Sequence, residues 1–362
     1  MFEEYPLSKL IHVSSGISPT PLYQISFDFI RSISLETLTG FVRSASHLIL
    51  TEWRPGVVQV VHLYAEISKV ATFVVLAMVL RTKPYALTLV LKELRQTPTY
   101  QGQDKLPLLI WMIAQTKLTL NTAALYSWAW NLLPLVANYD ECYTSQSIDL
   151  IPQFVEMILS SNPGTRAVLL NRAVTPGGRL IPSCSFEILV RLTFPAPSAR
   201  VEATLRFEEI YPLLKEVALA PDDIITSANA LEQIFAFSLK LAGGQGNPAL
   251  ATEATTIAIT VLTQNVDCFK QWDVLYKEHL EASFALLKKL VDEWKDHSLK
   301  LSSSSSNTLT VKNAMNSFRM KNEKAITEGV ANLPLYKEAD QSCKLISRSL
   351  NKTNGSNHRL DM

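Results

Sequence analysis

The residues that could carry chemistry are few and widely separated in this sequence. The six histidines occur at positions 12, 47, 62, 279, 297 and 358, and no two of them have the spacing of a metal site. The four cysteines, at positions 142, 184, 268 and 343, form no CxxC pair, and no serine lies in a GxSxG turn. Because a catalytic triad can be assembled from distant segments, a hydrolase with a dispersed triad stays open as an alternative.

One short segment formally matches a nucleotide-binding pattern. Residues 244–249, GQGNPA, satisfy GxGxxA, but that fingerprint needs a preceding strand and free amide groups at a helix start to hold a pyrophosphate. Here a helical pattern over residues 231–241 comes first, and Pro248 removes one of the amides. We therefore interpret the segment as the end of one helix and the proline-initiated start of the next.

Charged and aromatic clusters also have structural explanations. Glu187 and Arg191, and likewise Glu202 and Arg206, are four residues apart, so we expect ion pairs on helices rather than catalytic acids. The aromatic run at residues 126–130, YSWAW, is typical of a helical core, although such runs also form binding hot spots. We predict no catalytic, cofactor-binding or metal-binding residue and no cofactor.

The elements that carry these residues are predicted to be helices. Between Lys69 and Arg81 lie eleven uncharged, mostly apolar residues, fewer than the roughly 18 that a membrane-spanning helix needs. Their apolar side chains point in every direction, so this helix should be surrounded by protein. Ser34 to Thr37 form a partial capping box at the start of an earlier helix.

We therefore predict an all-α fold, an irregular HEAT/armadillo-like solenoid of antiparallel helices. After the helix that starts near residue 34, further helices are predicted at about 56–81, 84–96, 105–117, 121–137, 146–160, 163–173, 183–193, 198–219 (broken near Pro212), 223–242, 248–266 and 270–299. The domain prediction is an irregular lead-in at 1–22, a solenoid body at 23–300, a Ser-rich linker at 301–309, amphipathic helices at 310–350 and a disordered tail at 351–362.

Net charge and hydropathy limit the classes of partner that this protein is expected to bind. The net charge is +1, which gives no electrostatic reason to bind nucleic acid. From residue 301 onward nine Lys/Arg face five Asp/Glu, and a solvated tail is favoured over a lipid-binding one. Residues 118–137 form a second apolar stretch that contains Asn121, Asn131 and Pro134, which favours burial in protein. The alternative is an integral membrane protein with helices near 69–81 and 118–137 in the bilayer.

Several long segments resemble the plant branch of the transmembrane protein 214 family. They are residues 69–84 (KVATFVVLAMVLRTKP), 99–115 (TYQGQDKLPLLIWMIAQ), 125–136 (LYSWAWNLLPLV), 179–220 and 262–268 (LTQNVDC). The resemblance extends over about residues 21–350. It carries no functional residue across, because the family has no catalytic motif.

The resemblance implies a non-enzymatic protein at the endoplasmic-reticulum membrane that binds protein partners. Animal members are linked to stress-triggered cell death through recruitment of a procaspase, a role that transfers poorly to plants. Members usually carry a long polar N-terminal extension and a hydrophobic anchor near the C-terminus, and neither is evident here. We expect a scaffold on the cytosolic face of that membrane, soluble if the anchor is missing, with no nucleic-acid partner and no small-molecule substrate.

Overall fold

Helices make up almost all of the chain that the structure describes. This structure is a computed structural model, and it describes residues 21–52, 62–117, 120–137, 145–160, 163–175, 178–221, 228–244 and 246–357. The all-α prediction is confirmed. The described strands, β1 (Val174–Thr175) and β2 (Gly178–Arg179), form a two-stranded antiparallel hairpin that periodicity did not predict. Gly178 has a φ of +128°, which a residue with a side chain rarely adopts.

The helices are numbered here in chain order. The earlier ones are α1 (Pro21–Ser32), α2 (Leu35–Glu52), α3 (His62–Thr82), α4 (Tyr85–Thr88), α5 (Leu91–Gln96), α6 (Leu106–Lys117), α7 (Asn121–Ser127), α8 (Leu133–Ala137), α9 (Ser145–Leu159) and α10 (Thr165–Asn171). The later ones are α11 (Ser183–Thr193), α12 (Glu202–Ala218), α13 (Ala228–Ala242), α14 (Pro248–Gln264), α15 (Cys268–Leu275), α16 (Leu280–Asp292), α17 (Trp294–Leu301), α18 (Ser305–Glu328) and α19 (Leu333–Asn357).

The contacts between residues divide the chain into two compact units. The first unit comprises Met1–Ala173, Leu180–Ile188 and Leu205–Val217; the second comprises Val174–Arg179, Leu189–Thr204 and Ala218–Met362. The body predicted over residues 23–300 is therefore divided between two units. Its arrangement as an antiparallel solenoid stays a prediction.

The apolar segment that ends at Arg81 forms the second half of α3, in the first unit. Five consecutive residues, from Leu76 to Leu80, are buried on every side of the helix, as the sequence predicted. The prediction is wrong one turn earlier, where Val75 is 40% exposed and Ala71 is also exposed. The helices packed against α3 cover that turn on only part of its circumference.

Two other helices of the first unit differ from their predictions. The helix expected over 84–96 is interrupted after Thr88, so α4 and α5 are separate. Residues 121–137 are continuously helical as predicted, but Trp128–Leu132 form a π-helical turn between α7 and α8. The periodicity also missed α1, and residues 56–61 of the helix predicted over 56–81 lie outside the described residues.

The long helix predicted over 270–299 is wrong, because the chain there forms three helices. The indole Nε1 of Trp272 donates to Ser283 Oγ at 3.0 Å, yet in one straight helix these residues would be about 16 Å apart along the axis. Tyr276 is fully buried and donates its hydroxyl proton to Asn322 Oδ1 at 2.9 Å. The chain must fold back between α15 and α16 to make both contacts.

The Ser-rich run is part of a helix start and not a flexible linker in the structure. Ser304 Oγ accepts a hydrogen bond from Asn307 N at 3.1 Å, and α18 begins at the next residue. This is an N-cap, which satisfies an amide that the helix cannot pair. The tail predicted to be disordered from 351 remains helical to Asn357, and residues 358–362 lie outside the described part of the chain.

Arg206 pairs across helices and not along its own. The predicted partner was Glu202, but the guanidinium lies 2.9 Å from Asp149 and 3.0 Å from Glu156, both on α9. These pairs join α12 to α9 within the first unit. The helix also continues through Pro212, where a break was predicted.

Candidate functional site

The GxGxxA segment lies between two helices, as interpreted from the sequence. Helix α13 ends at Ala242 and α14 begins at Pro248. Asn247 caps α14, since its Oδ1 accepts from Leu250 N at 3.2 Å and its Nδ2 donates to the carbonyl oxygen of Phe194 at 2.7 Å. These bonds explain the segment as a helix junction.

The described histidines and cysteines do not form a reactive group. His297 Nε2 lies 3.3 Å from Glu293 and His279 Nε2 lies 3.8 Å from Glu278. Within the described residues no three His, Cys, Asp or Glu side chains are arranged to hold a metal ion. Burial raises the pKa of the Cys268 and Cys343 thiols to about 12 each, so both stay protonated and unreactive at neutral pH. Cys184 is exposed.

Thiol labelling should therefore separate these three cysteines. We expect iodoacetamide at pH 8 to modify Cys184 in the native protein and to leave Cys268 and Cys343 at least about tenfold slower, because the thiolate is the reactive form. Peptide mapping by mass spectrometry measures each site, and labelling in urea is the control that should equalise them. Equal native rates would contradict the buried positions.

The aromatic run at 126–130 divides between core and surface. Trp128 is fully buried, and its Nε1 donates to the carbonyl oxygen of Ile151 at 3.0 Å. Tyr126 and Trp130 are half-buried and stack with parallel rings, their centroids 6.3 Å apart. The guanidinium of Arg95 lies 5.9 Å from the Trp130 ring centroid. The prediction of a core position thus holds for Trp128 and not for its two aromatic neighbours.

An open groove on the first unit is the candidate functional site, and we call it the α2 groove. It has a volume of about 630 Å³ and is lined by Leu35, Glu36, Thr39, Gly40 and Arg43 of α2 together with Leu89, which follows α4. Its two apolar side chains are open to solvent, Leu35 at 36% and Leu89 at 59%. A surface groove with exposed leucines can accept an apolar ligand side chain without rearrangement.

Residues just before the groove cap the start of α2. Ser34 Oγ accepts from Thr37 N at 3.2 Å and lies 2.8 Å from the Thr37 hydroxyl, so the predicted partial capping box is confirmed. Just before it, the Lys83 ammonium donates to the Ile33 carbonyl oxygen at 2.6 Å. These contacts fix the start of α2, and they therefore position Leu35, the first residue of the helix, at the wall of the groove.

Long-range contacts hold the other end of the groove wall. The hydroxyls of Tyr100 and Ser46 lie 3.1 Å apart, and Tyr100 also donates to the Arg43 carbonyl oxygen at 3.3 Å. Burial raises the pKa of Tyr100, so the phenol remains a neutral donor. The Arg43 Nε lies 2.6 Å from Glu93 of α5. Because both side chains are about half exposed, that pair contributes no more than about 1 kcal/mol.

Gly40, one of the residues that line the groove, leaves space open there. A Cβ atom built at this position would meet no heavy atom within 4 Å. Glycine inside a helix costs about 0.5–1 kcal/mol relative to alanine, and space is available here for a side chain. Packing within the protein therefore does not require a glycine at position 40.

A comparison with known protein families shows which family the chain belongs to. The family model described as "TMEM214, C-terminal, caspase 4 activator" matches residues 165–360, which is more than half of the sequence. The chain belongs to the TMEM214 family. The matched residues begin at the first residue of α10 and include α11 to α19, whereas the α2 groove precedes them. No curated protein and no solved structure matches the chain.

The alternative with helices in the bilayer concerns two apolar segments of this member of the TMEM214 family. Among the described residues, none of the helices combines the length and the hydropathy required of a membrane span. The described residues of the two segments proposed for the bilayer, 69–81 and 118–137, belong to α3 and to the α7–α8 region.

Sequence reasoning missed the α2 groove, although one signal was present. Leu38, Val42, Ala45 and Ile49 define the buried face of α2, and at 100° per residue Gly40 lies on roughly the opposite side of the helix. A glycine inside a helix costs about 1 kcal/mol relative to alanine, so its presence at position 40 is the signal in the sequence. The other wall residue, Leu89, is distant in the sequence, so periodicity within α2 could not indicate it.

Proposed function

We propose that this protein is a non-enzymatic helical adaptor at the endoplasmic-reticulum membrane, and that its α2 groove binds an amphipathic helix of a partner protein. The observation that carries the proposal is the open space at Gly40 in a groove that the exposed side chains of Leu35 and Leu89 also line. Membership of the TMEM214 family supports the location. The adaptor role is supported by the groove, which two exposed leucines line.

The dimensions of the groove favour a helix as the occupant. Leu35, Thr39 and Arg43 are spaced by four residues, so they form one ridge about 12 Å long, slightly more than two helical turns. Two helices approach to about 8–10 Å when small residues lie at the contact, and Gly40 is the smallest possible. An amphipathic helix can place apolar residues between Leu35 and Leu89 in the helix-in-groove mode.

Charge at the rim restricts which helix fits. Glu36 is exposed at the N-terminal end of the wall, while the Arg43 and Glu93 pair occupies the other end. A partner helix with a lysine or arginine beside its apolar stripe would meet Glu36. Such complementarity contributes more to orientation and specificity than to affinity.

Filling the groove tests the proposal. Gly40→Phe should place an aromatic ring in open space and reduce partner binding by at least about tenfold, while Gly40→Ala should raise stability by about 0.5–1 kcal/mol. A photo-crosslinking amino acid at position 89 in the full chain, expressed in plant cells, reports contact at the groove. We expect crosslinks to one helical segment of a partner, lost in Gly40→Phe.

A matched control separates the groove from a general effect of added aromatic surface. Gly246 also has no heavy atom within 4 Å of an added Cβ, and Gly246→Phe should leave the crosslinks unchanged. Crosslinks that persist in Gly40→Phe, or that map only to extended segments, would refute helix binding at this site. Thermal unfolding of each variant checks that the fold is retained.

A further inference from the structure

The C-terminal helix presents a row of positive charges to solvent. At 100° per residue, Lys337, Lys344 and Arg348 lie within about 40° of one another on α19, and all three are exposed. We call them the α19 stripe. The opposite side of the helix is buried and contains Ala339, Cys343, Ile346 and Leu350. The stripe therefore lies on the outward face of the second unit.

Local pairing leaves much of this charge available. Lys344 Nζ lies 2.6 Å from Asp340, whose side chain is only 11% exposed. This lysine therefore also forms an ion pair with a mostly buried carboxylate. No ion pair of the described residues involves Lys337 or Arg348. The exposed acid Glu338 lies about 100° from Lys337, at the edge of the stripe. Over residues 305–357, eight Lys/Arg face four Asp/Glu.

We propose that the α19 stripe docks on the anionic headgroups of a lipid bilayer. The three cations extend about 16 Å along one exposed side of the helix, which suits an extended negative surface. The apolar face of α19 is occupied by the protein core, so the helix cannot insert as an interfacial amphipathic helix does. Leu345, which is 40% exposed, lies about 80° from Lys337 around the helix, at the edge of the stripe.

Binding of this kind is weak and additive. Each lysine or arginine near an anionic leaflet strengthens binding about fivefold, and the effect decays within a Debye length. Three cations together give a factor on the order of 100. Alone, the stripe gives weak and reversible binding to anionic lipid; at a membrane that already holds the protein, it orients the protein. The inference rests on the proposed adaptor at the membrane and specifies which face meets it.

Vesicle flotation of the full chain tests the stripe. The probes are vesicles of phosphatidylcholine with about one third phosphatidylserine, and vesicles of phosphatidylcholine alone. Lys337→Glu/Arg348→Glu keeps Lys344, and with it the contact to Asp340. We expect this variant to bind the anionic vesicles at least about 25-fold more weakly than the wild type, from the loss of two cations. Binding of the wild type should fall steeply with salt and be absent on phosphatidylcholine.

The control changes net charge equally at other sites. Lys240→Glu/Lys295→Glu alters two exposed lysines on α13 and α17 and should cost less than about threefold. An equal loss in both variants would show that net charge alone is responsible and overturn the proposal. Binding to soluble polyglutamate as strong as to vesicles would overturn it in favour of an acidic protein. Because flotation uses no partner protein, its failure is distinguishable from failure of the groove experiment.

Discussion

Phe318→Ala should lower the free energy of unfolding of the second unit by about 3–5 kcal/mol. Phe318 is fully buried at the centre of an aromatic cluster. Its ring stacks on Tyr276 with centroids 4.3 Å apart and tilts against Trp272 at 5.0 Å. Removing the ring loses apolar burial and both aromatic contacts, and it leaves a cavity beside Trp272 and Tyr276 that cannot close without moving them.

The measurement is urea unfolding followed by tryptophan fluorescence, with a thermal midpoint as a second readout. For a unit of this size the loss corresponds to a fall of roughly 6–20 °C. Met320 lies two residues away on the same helix and is 71% exposed. Met320→Ala should therefore stay within about 0.5 kcal/mol of the wild type. A loss below about 1 kcal/mol for Phe318→Ala would show that the cluster does not hold the unit together.

Arg179→Met is expected to be the second most damaging change, at about 2–5 kcal/mol. Arg179 is 4% exposed on β2, and its Nη1 donates to the carbonyl oxygens of Ala218 at 2.9 Å and Ala220 at 3.0 Å. The carbonyl between them, that of Leu219, accepts from Gln264 Nε2 at 2.7 Å. Three consecutive carbonyls at the end of α12 are thus satisfied by side chains.

Methionine has nearly the same length as arginine but no donor. Two buried carbonyls would lose their partner, each at a cost of about 1–3 kcal/mol, together with the favourable position of a cation at a helix C-terminus. Hydrogen exchange of the α12–α14 peptides measures the local free energy of opening. The matched control is Arg172→Met, an exposed arginine at the end of α10, which should leave exchange unchanged. Unchanged exchange in Arg179→Met would contradict the assigned role.

Periodicity and end signals in the sequence predicted most helices closely. The helix predicted at 183–193 coincides with α11, and the predicted 105–117 differs from α6 by one residue. The Ser34 cap and the proline-initiated start of α14 were also predicted. These features succeed because a helix and its caps are stabilised by residues within a few positions of one another.

The failures share a different cause. The bends that divide residues 268–301 exist because Trp272 and Ser283 must meet, and Tyr276 must reach Asn322 on α18. The i,i+4 spacing of Glu202 and Arg206 was real, but Asp149 and Glu156 brought by α9 form the ion pairs. Each of these contacts joins segments whose approach no local pattern encodes.

Residue order alone was sufficient for the helical class, for the bounds of α11 and the start of α14, and for membership of the TMEM214 family, because these depend on neighbouring residues and on long shared segments. The α2 groove, the α19 stripe and the burial of Arg179 required the folded chain. Leu89 becomes the far wall of a groove, and Lys337, Lys344 and Arg348 face solvent, through packing of distant helices. The spacing of apolar residues in the sequence predicts which face of an amphipathic helix is buried. The surroundings of its other face depend on helices that are distant in the sequence and come close only in the folded chain.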